Sequence, residues 1–113
     1  MSVSNGRFRE LALALPESEE QDHWGQPSFR VRKKIFATLQ EENRCVLKLP
    51  VEVQRVLVAA EPETWSAGAW AHQGWTALLL EKISLEDLEK YLVLAWSALA
   101  PKRAIKAYEA NSE

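Results

Sequence analysis

The sequence predicts an α+β domain in which an antiparallel sheet of about five strands carries helices on one face. Three observations lead there. Apolar residues recur at helical spacing in several segments, the stretches between them alternate apolar and polar residues, and the elements follow no β-α-β repeat. With 113 residues, 47% apolar and 27% charged, the chain has the size and composition of one folded domain over residues 1–113.

Phe8, Leu11, Ala12 and Leu15 mark a first helix over residues 5–15, with Ser4 or Asn5 as its cap and Pro16 ending it. A short edge strand follows through the acidic stretch before the turn Trp24-Gly25-Gln26-Pro27. From Ser28 the period becomes two: Phe29 and Val31 face one side and Arg30 and Arg32 the other. Lys33-Lys34 interrupts before Ile35 to Leu39 resumes, which reads as a β-hairpin with a basic tip. After the polar turn at 41–44, Cys45, Leu47 and Leu49 alternate with Val46 and Lys48 and complete a three-stranded meander.

Pro50 suits a helix start, and Val53, Val56, Leu57 and Ala60 give helix two over 51–60. Residues 61–74, with Pro62, Gly68 and Gly74, read as a long loop, followed by a strand from Trp75 to Glu81. Ser84 as N-cap, Asp87 at N3 and the Ile83/Leu88 staple open helix three, whose apolar face runs from Leu85 to Leu99. Pro101 opens a last short helix through Tyr108.

Net charge is −2, so the protein lacks the strong positive field of a general nucleic-acid binder, and any such site has to be local. Arg30, Arg32, Lys33 and Lys34 crowd one hairpin, Arg44 and Lys48 lie near it, and Lys102, Arg103 and Lys106 open the last helix. Such side chains can meet phosphates. They can equally keep a strand face soluble, with Glu41 and Glu42 offsetting part of the charge. The loop from Trp65 to Trp75 is a second candidate, because Trp70 and His72 could stack on a ligand together with Trp24, while Trp65 and Trp75 read as core plugs.

Catalysis finds little support. His23 and His72 flank no nucleophile, the four glycines form no phosphate-cradling loop, and no His or Cys spacing matches a metal site. Cys45, the single cysteine, lies on the inward side of its strand and forms no internal disulfide, which fits a reducing compartment. The N-terminus lacks the build of a secretory signal, and no apolar run approaches a membrane span. The expectation is a monomeric, cytoplasmic, non-enzymatic protein without metal or cofactor.

Longer motifs add a resemblance. Leu15-Pro16-Glu17-Ser18-Glu19-Glu20, then Trp24-Gly25-Gln26-Pro27-Ser28-Phe29-Arg30-Val31-Arg32-Lys33-Lys34-Ile35-Phe36-Ala37, resembles the N-terminal half of the MmcQ/YjbR family. Gly74-Trp75 before a leucine-rich strand, and Ala95-Trp96 followed by Ala100-Pro101-Lys102-Arg103, continue it. The resemblance implies a bacterial cytoplasmic protein with a YjbR/CyaY-like fold, likened to a double-wing DNA-binding motif, the basic hairpin being one wing.

Similar sequences usually place a glycine at that hairpin tip, so Lys33-Lys34 implies a longer or bulged turn. Trp70-Ala71-His72-Gln73 also stands where some relatives carry a Lys- or Asn-rich stretch. Frataxin-like iron handling needs an acidic ridge on helix one, which offers only Glu10 beside Arg7 and Arg9. Two functions remain in competition. One is a DNA-binding module using Arg30, Arg32, Lys33, Lys34, Lys48, Lys102 and Arg103. The other is a small-ligand or protein-binding module using Trp24, Trp70 and His72.

Overall fold

The computed structural model describes residues 3–41, 43–68 and 70–111. Helix α1 (Asn5–Ala14) starts at Ser4, whose Oγ accepts the Arg7 N–H at 3.1 Å, and it buries Phe8 and Ala12. Beyond it Ser18 Oγ donates to the Ala12 and Leu15 carbonyls, each at 2.7 Å, and so turns the chain into the sheet.

The strands are β1 (Ser18–His23), β2 (Gln26–Val31), β3 (Lys34–Gln40), β4 (Arg44–Lys48), β5 (Trp65–Ala67) and β6 (Trp75–Leu79). They lie in the order β1-β2-β3-β4-β6-β5, and each neighbouring pair is antiparallel. Among the described residues the sheet therefore has six strands instead of about five. The additional one, β5, falls within the stretch read as a loop, where three residues are too few to show a period.

Helix α2 (Val51–Ala60) links β4 to the edge strand β5, and the chain then returns through β6 between them. A 3-10 turn at Leu80–Lys82 ends β6 earlier than the leucines suggest. Helix α3 (Leu85–Ser97) is capped by Ser84, whose Oγ accepts the Asp87 N–H at 3.1 Å. Helix α4 (Lys102–Asn111) runs a turn past Tyr108.

The basic hairpin closes more tightly than its residues suggest. Val31 pairs with Lys34, so only Arg32 and Lys33 form the turn, both left-handed at φ 54° and 66°. This is the backbone of a primed two-residue turn, which matches strand twist but costs about 1–2 kcal/mol for each side-chain-bearing residue. The expected irregularity lies in β3 instead. Phe29 and Arg30 pair with Ala37 and Ile35, leaving Phe36 as the bulged residue. As a result Phe36 and Ala37 are both buried.

One face of the sheet supplies Phe29, Val31, Leu39, Cys45, Leu47 and Leu78 to a core shared with Phe8, Leu88, Leu92 and Trp96 of the helices. Phe8 meets Phe29 edge-on with ring centres 5.4 Å apart, and Trp65 meets Tyr91 at 5.2 Å. The fully buried Trp96 donates its indole N–H to the Pro16 carbonyl at 3.1 Å, locking α3 to the α1–β1 corner. Truncating it to alanine should cost about 3–5 kcal/mol. No helix among the described residues is long and apolar enough to cross a membrane.

Candidate functional site

The helices cover one face of the sheet, so alternation turns the remaining side chains outward. On β4 these are Arg44, Val46 and Lys48, since Cys45 and Leu47 are buried. The register places Trp75 beside Lys48, Ala77 beside Val46, and Gln40 beside Arg44. Trp75, Ala77, Val46, Gln40 and Arg44, together with Thr38 of β3 and Gln26 of β2, line a hollow of about 630 Å³ on this outer face, and Lys48 stands just outside it. His23 and Ile35 border it on one side, and Gly68, Trp70 and Gln73 on the other.

The electrostatics of the hollow are one-sided. Among its described lining residues Arg44 is the one formally charged group, and no carboxylate takes part. The Lys48 ammonium stands 5.7 Å from the centre of the Trp75 ring, within cation–π range. Trp70 is 62% exposed, whereas Trp75 is half-buried in the wall.

Gly74 fixes the loop that carries Trp70. Its φ of 97° lies in the region favouring glycine, and an added Cβ would collide with the Leu49 carbonyl oxygen. The Leu49 N–H donates to the Gly74 carbonyl at 2.8 Å, which pins the loop end to β4. Behind the sheet, buried Gln54 of α2 donates to Thr76 Oγ1 at 2.9 Å and to the Trp75 carbonyl at 3.2 Å. Thr76 in turn donates to the Gly74 carbonyl at 3.0 Å. Sequence reasoning passed over Gln54, although a polar residue between Val53 and Leu57 on a buried stripe is a visible anomaly.

The basic residues are distributed unevenly over this frame. Arg32 and Lys33 form the hairpin turn, Lys34 begins β3, and Lys48 ends β4, so antiparallel pairing brings all four to one end of the sheet. Arg30 lies on the outer face, where its Nε donates to Ser28 Oγ at 3.1 Å. Glu41 does not offset the tip, because β3 separates them by its full length of about 20 Å. Glu42 lies outside the described residues.

Lys102 and Arg103 start α4, near the same end, because Glu17 precedes the Ser18–Val31 pair. Arg103, however, is occupied. Its Nε and Nη2 donate to the two Glu17 carboxylate oxygens at 2.7 Å each, which holds the Glu17 carboxyl below its usual range.

The aromatic set divides. Trp70 lines the hollow, while His72 is exposed beside it with ring centres 6.2 Å apart. Trp24 caps the β1–β2 turn at φ 55°, 90% exposed, with its ring against His23. Trp65 is a core plug as expected, but Trp75 is not: its register with Lys48 turns it outward. Period-two counting back from Leu78 was the signal that could have shown this.

A protein-family model for YjbR matches residues 13–98. The chain belongs to the YjbR family. The matched stretch holds the whole sheet and stops short of Lys102 and Arg103. A crystal structure of Deinococcus radiodurans protein DR2400, with a DUF419 domain, is similar at TM-score 0.76 and 21% identity, over 87% of this chain and 79% of that one. That likeness is one of fold. No match was found among curated proteins.

The outer face of this YjbR-family chain can therefore stack planar groups on Trp70 and Trp75, attract anions to Arg44 and Lys48, and hydrogen-bond through Gln26, Thr38, Gln40 and Gln73. The Cys45 thiol points the other way, into the core, and burial raises its pKa strongly. Among the described residues no three His, Cys, Asp or Glu side chains gather to hold a metal ion.

Proposed function

We propose that this chain is a non-enzymatic nucleic-acid-binding module that uses the outer face of its sheet and the adjoining basic end. The observation that carries this reading is the pairing of Lys48 with Trp75 beside the hollow, where a cation and an aromatic ring are presented together. A phosphate and the base attached to it need such a pair. Arg32, Lys33 and Lys34 add cations at the same end, so phosphates can be met locally despite the net charge of −2.

Anisotropy of labelled DNA at low salt tests the reading. Binding at micromolar protein is expected, weakening steeply as salt rises, with a marked loss for Arg32→Glu combined with Lys33→Glu. No binding under those conditions removes it.

A second reading, a pocket for a small molecule, rests on the volume of about 630 Å³, which is in the range of small-ligand sites. A metabolite library screened by NMR against the Trp70 loop tests that reading. Absence of any shift there would end it.

A further inference from the structure

We infer that the outer face selects single-stranded nucleic acid, with unpaired bases stacked on Trp70 and Trp75; this rests on the nucleic-acid reading above. The first reason is access. Inside a duplex each base face is covered by its neighbours, and a protein reaches only edges and backbone. Trp75 stands half-buried in the wall of a hollow, and Trp70 borders the same hollow from the loop, so what stacks on them has to enter as a free plane.

The second reason is charge placement. Arg44 and Lys48 share the outer side of β4, four residues or about 13 Å apart, with apolar Val46 and Ala77 on the floor between them. Cations at the two ends of an apolar and aromatic floor suit a strand that lays bases down and keeps its phosphates outside. The carboxylates near this face stay at its margins: Glu19 lies opposite Arg30 at the β1–β2 edge, while Glu41 on the β3–β4 turn and Glu63 before β5 each border a smaller hollow that Arg44 shares.

The third reason is tolerance. Gln26, Gln40 and Gln73 carry carboxamides that both donate and accept, so they can pair with the edge of any base. The expected behaviour is weak sequence preference with strong preference for strand form.

The test compares a labelled oligothymidylate of about 12 nucleotides with a duplex of equal length and with thymidine monophosphate, at low salt. Single strand is expected to bind at least about tenfold tighter than duplex and to quench tryptophan fluorescence. Trp70→Ala is expected to weaken single-strand binding roughly five- to hundredfold while leaving duplex binding unchanged. Because Trp70 is exposed, that variant should fold normally; Trp75→Phe, which keeps a ring, should lose less than Trp70→Ala.

Duplex binding as tight as single strand, or an unaffected Trp70→Ala, would overturn the strand preference and leave the nucleic-acid reading in place. Failure of both strand forms would overturn that reading too. Monophosphate binding as tight as the oligomer would overturn the strand claim in favour of the small-molecule pocket.

Discussion

The Lys48 ammonium lies over the ring of Trp75, its cross-strand partner, where β4 meets β6. A phosphate drawn to Lys48 therefore arrives beside a ring on which its base can stack. Lys48→Ala should lower the slope of log affinity against log salt by about one, and Lys48→Arg should preserve it. Anisotropy titrations at several salt concentrations measure this directly. An unchanged slope for Lys48→Ala would remove Lys48 from the interface.

The two positive-φ glycines should behave differently. At Gly74 a methyl group meets both an unfavourable φ and the Leu49 carbonyl, whereas at Gly25 nothing lies within 4 Å. Gly25→Ala should cost about 1 kcal/mol and Gly74→Ala well over about 2 kcal/mol, read from urea denaturation. Gly74→Ala should also weaken ligand binding, because the same glycine sets the loop of Trp70.

Stability and function should pull apart at the hairpin tip. Arg32 and Lys33 occupy positions at which Asn-Gly is the preferred pair. Arg32→Asn with Lys33→Gly should raise stability by about 1 kcal/mol and weaken nucleic-acid binding. A variant that gains stability and binds like the parent would show the strained turn to be unrelated to the ligand.

Acid should weaken the tie between α4 and the α1–β1 corner. Hydrogen bonds from Arg103 lower the folded pKa of Glu17, so the pair stabilises above the ordinary carboxylate value of about 4.5 and fades as pH falls through the lower folded value. Both groups are exposed, so the effect at neutral pH is small. The stability gap between the parent and Arg103→Ala should be present at neutral pH and close in acid. A gap that widens in acid would contradict the sign.

Most of the fold was legible because two signals were strong. The Ser84/Asp87 cap and the apolar stripe of α3 stand out in the sequence, as does the alternation from Phe29 to Leu49. β5 was not legible, since Trp65-Ser66-Ala67 gains its strand geometry from pairing with β6 and not from its own pattern.

The site was half legible. Clustered cations and Trp70 could be read from the residues, but the outward side of Trp75 depended on register with Lys48, and the removal of Arg103 depended on Glu17 across 86 positions of chain. Both are long-range facts. A β-bulge at Phe36 adds to this, because it puts consecutive residues on one side and breaks simple counting along β3.

The five tryptophans supply the most direct test of the binding face, because Trp65 and Trp96 are buried on the helix side while Trp70 and Trp75 border the outer hollow. Indole N–H resonances, followed by NMR during titration with a single-stranded oligonucleotide, should move for Trp70 and Trp75 and stay in place for Trp65 and Trp96. Movement confined to the buried pair, or none at all at saturating oligonucleotide, would contradict binding at this face.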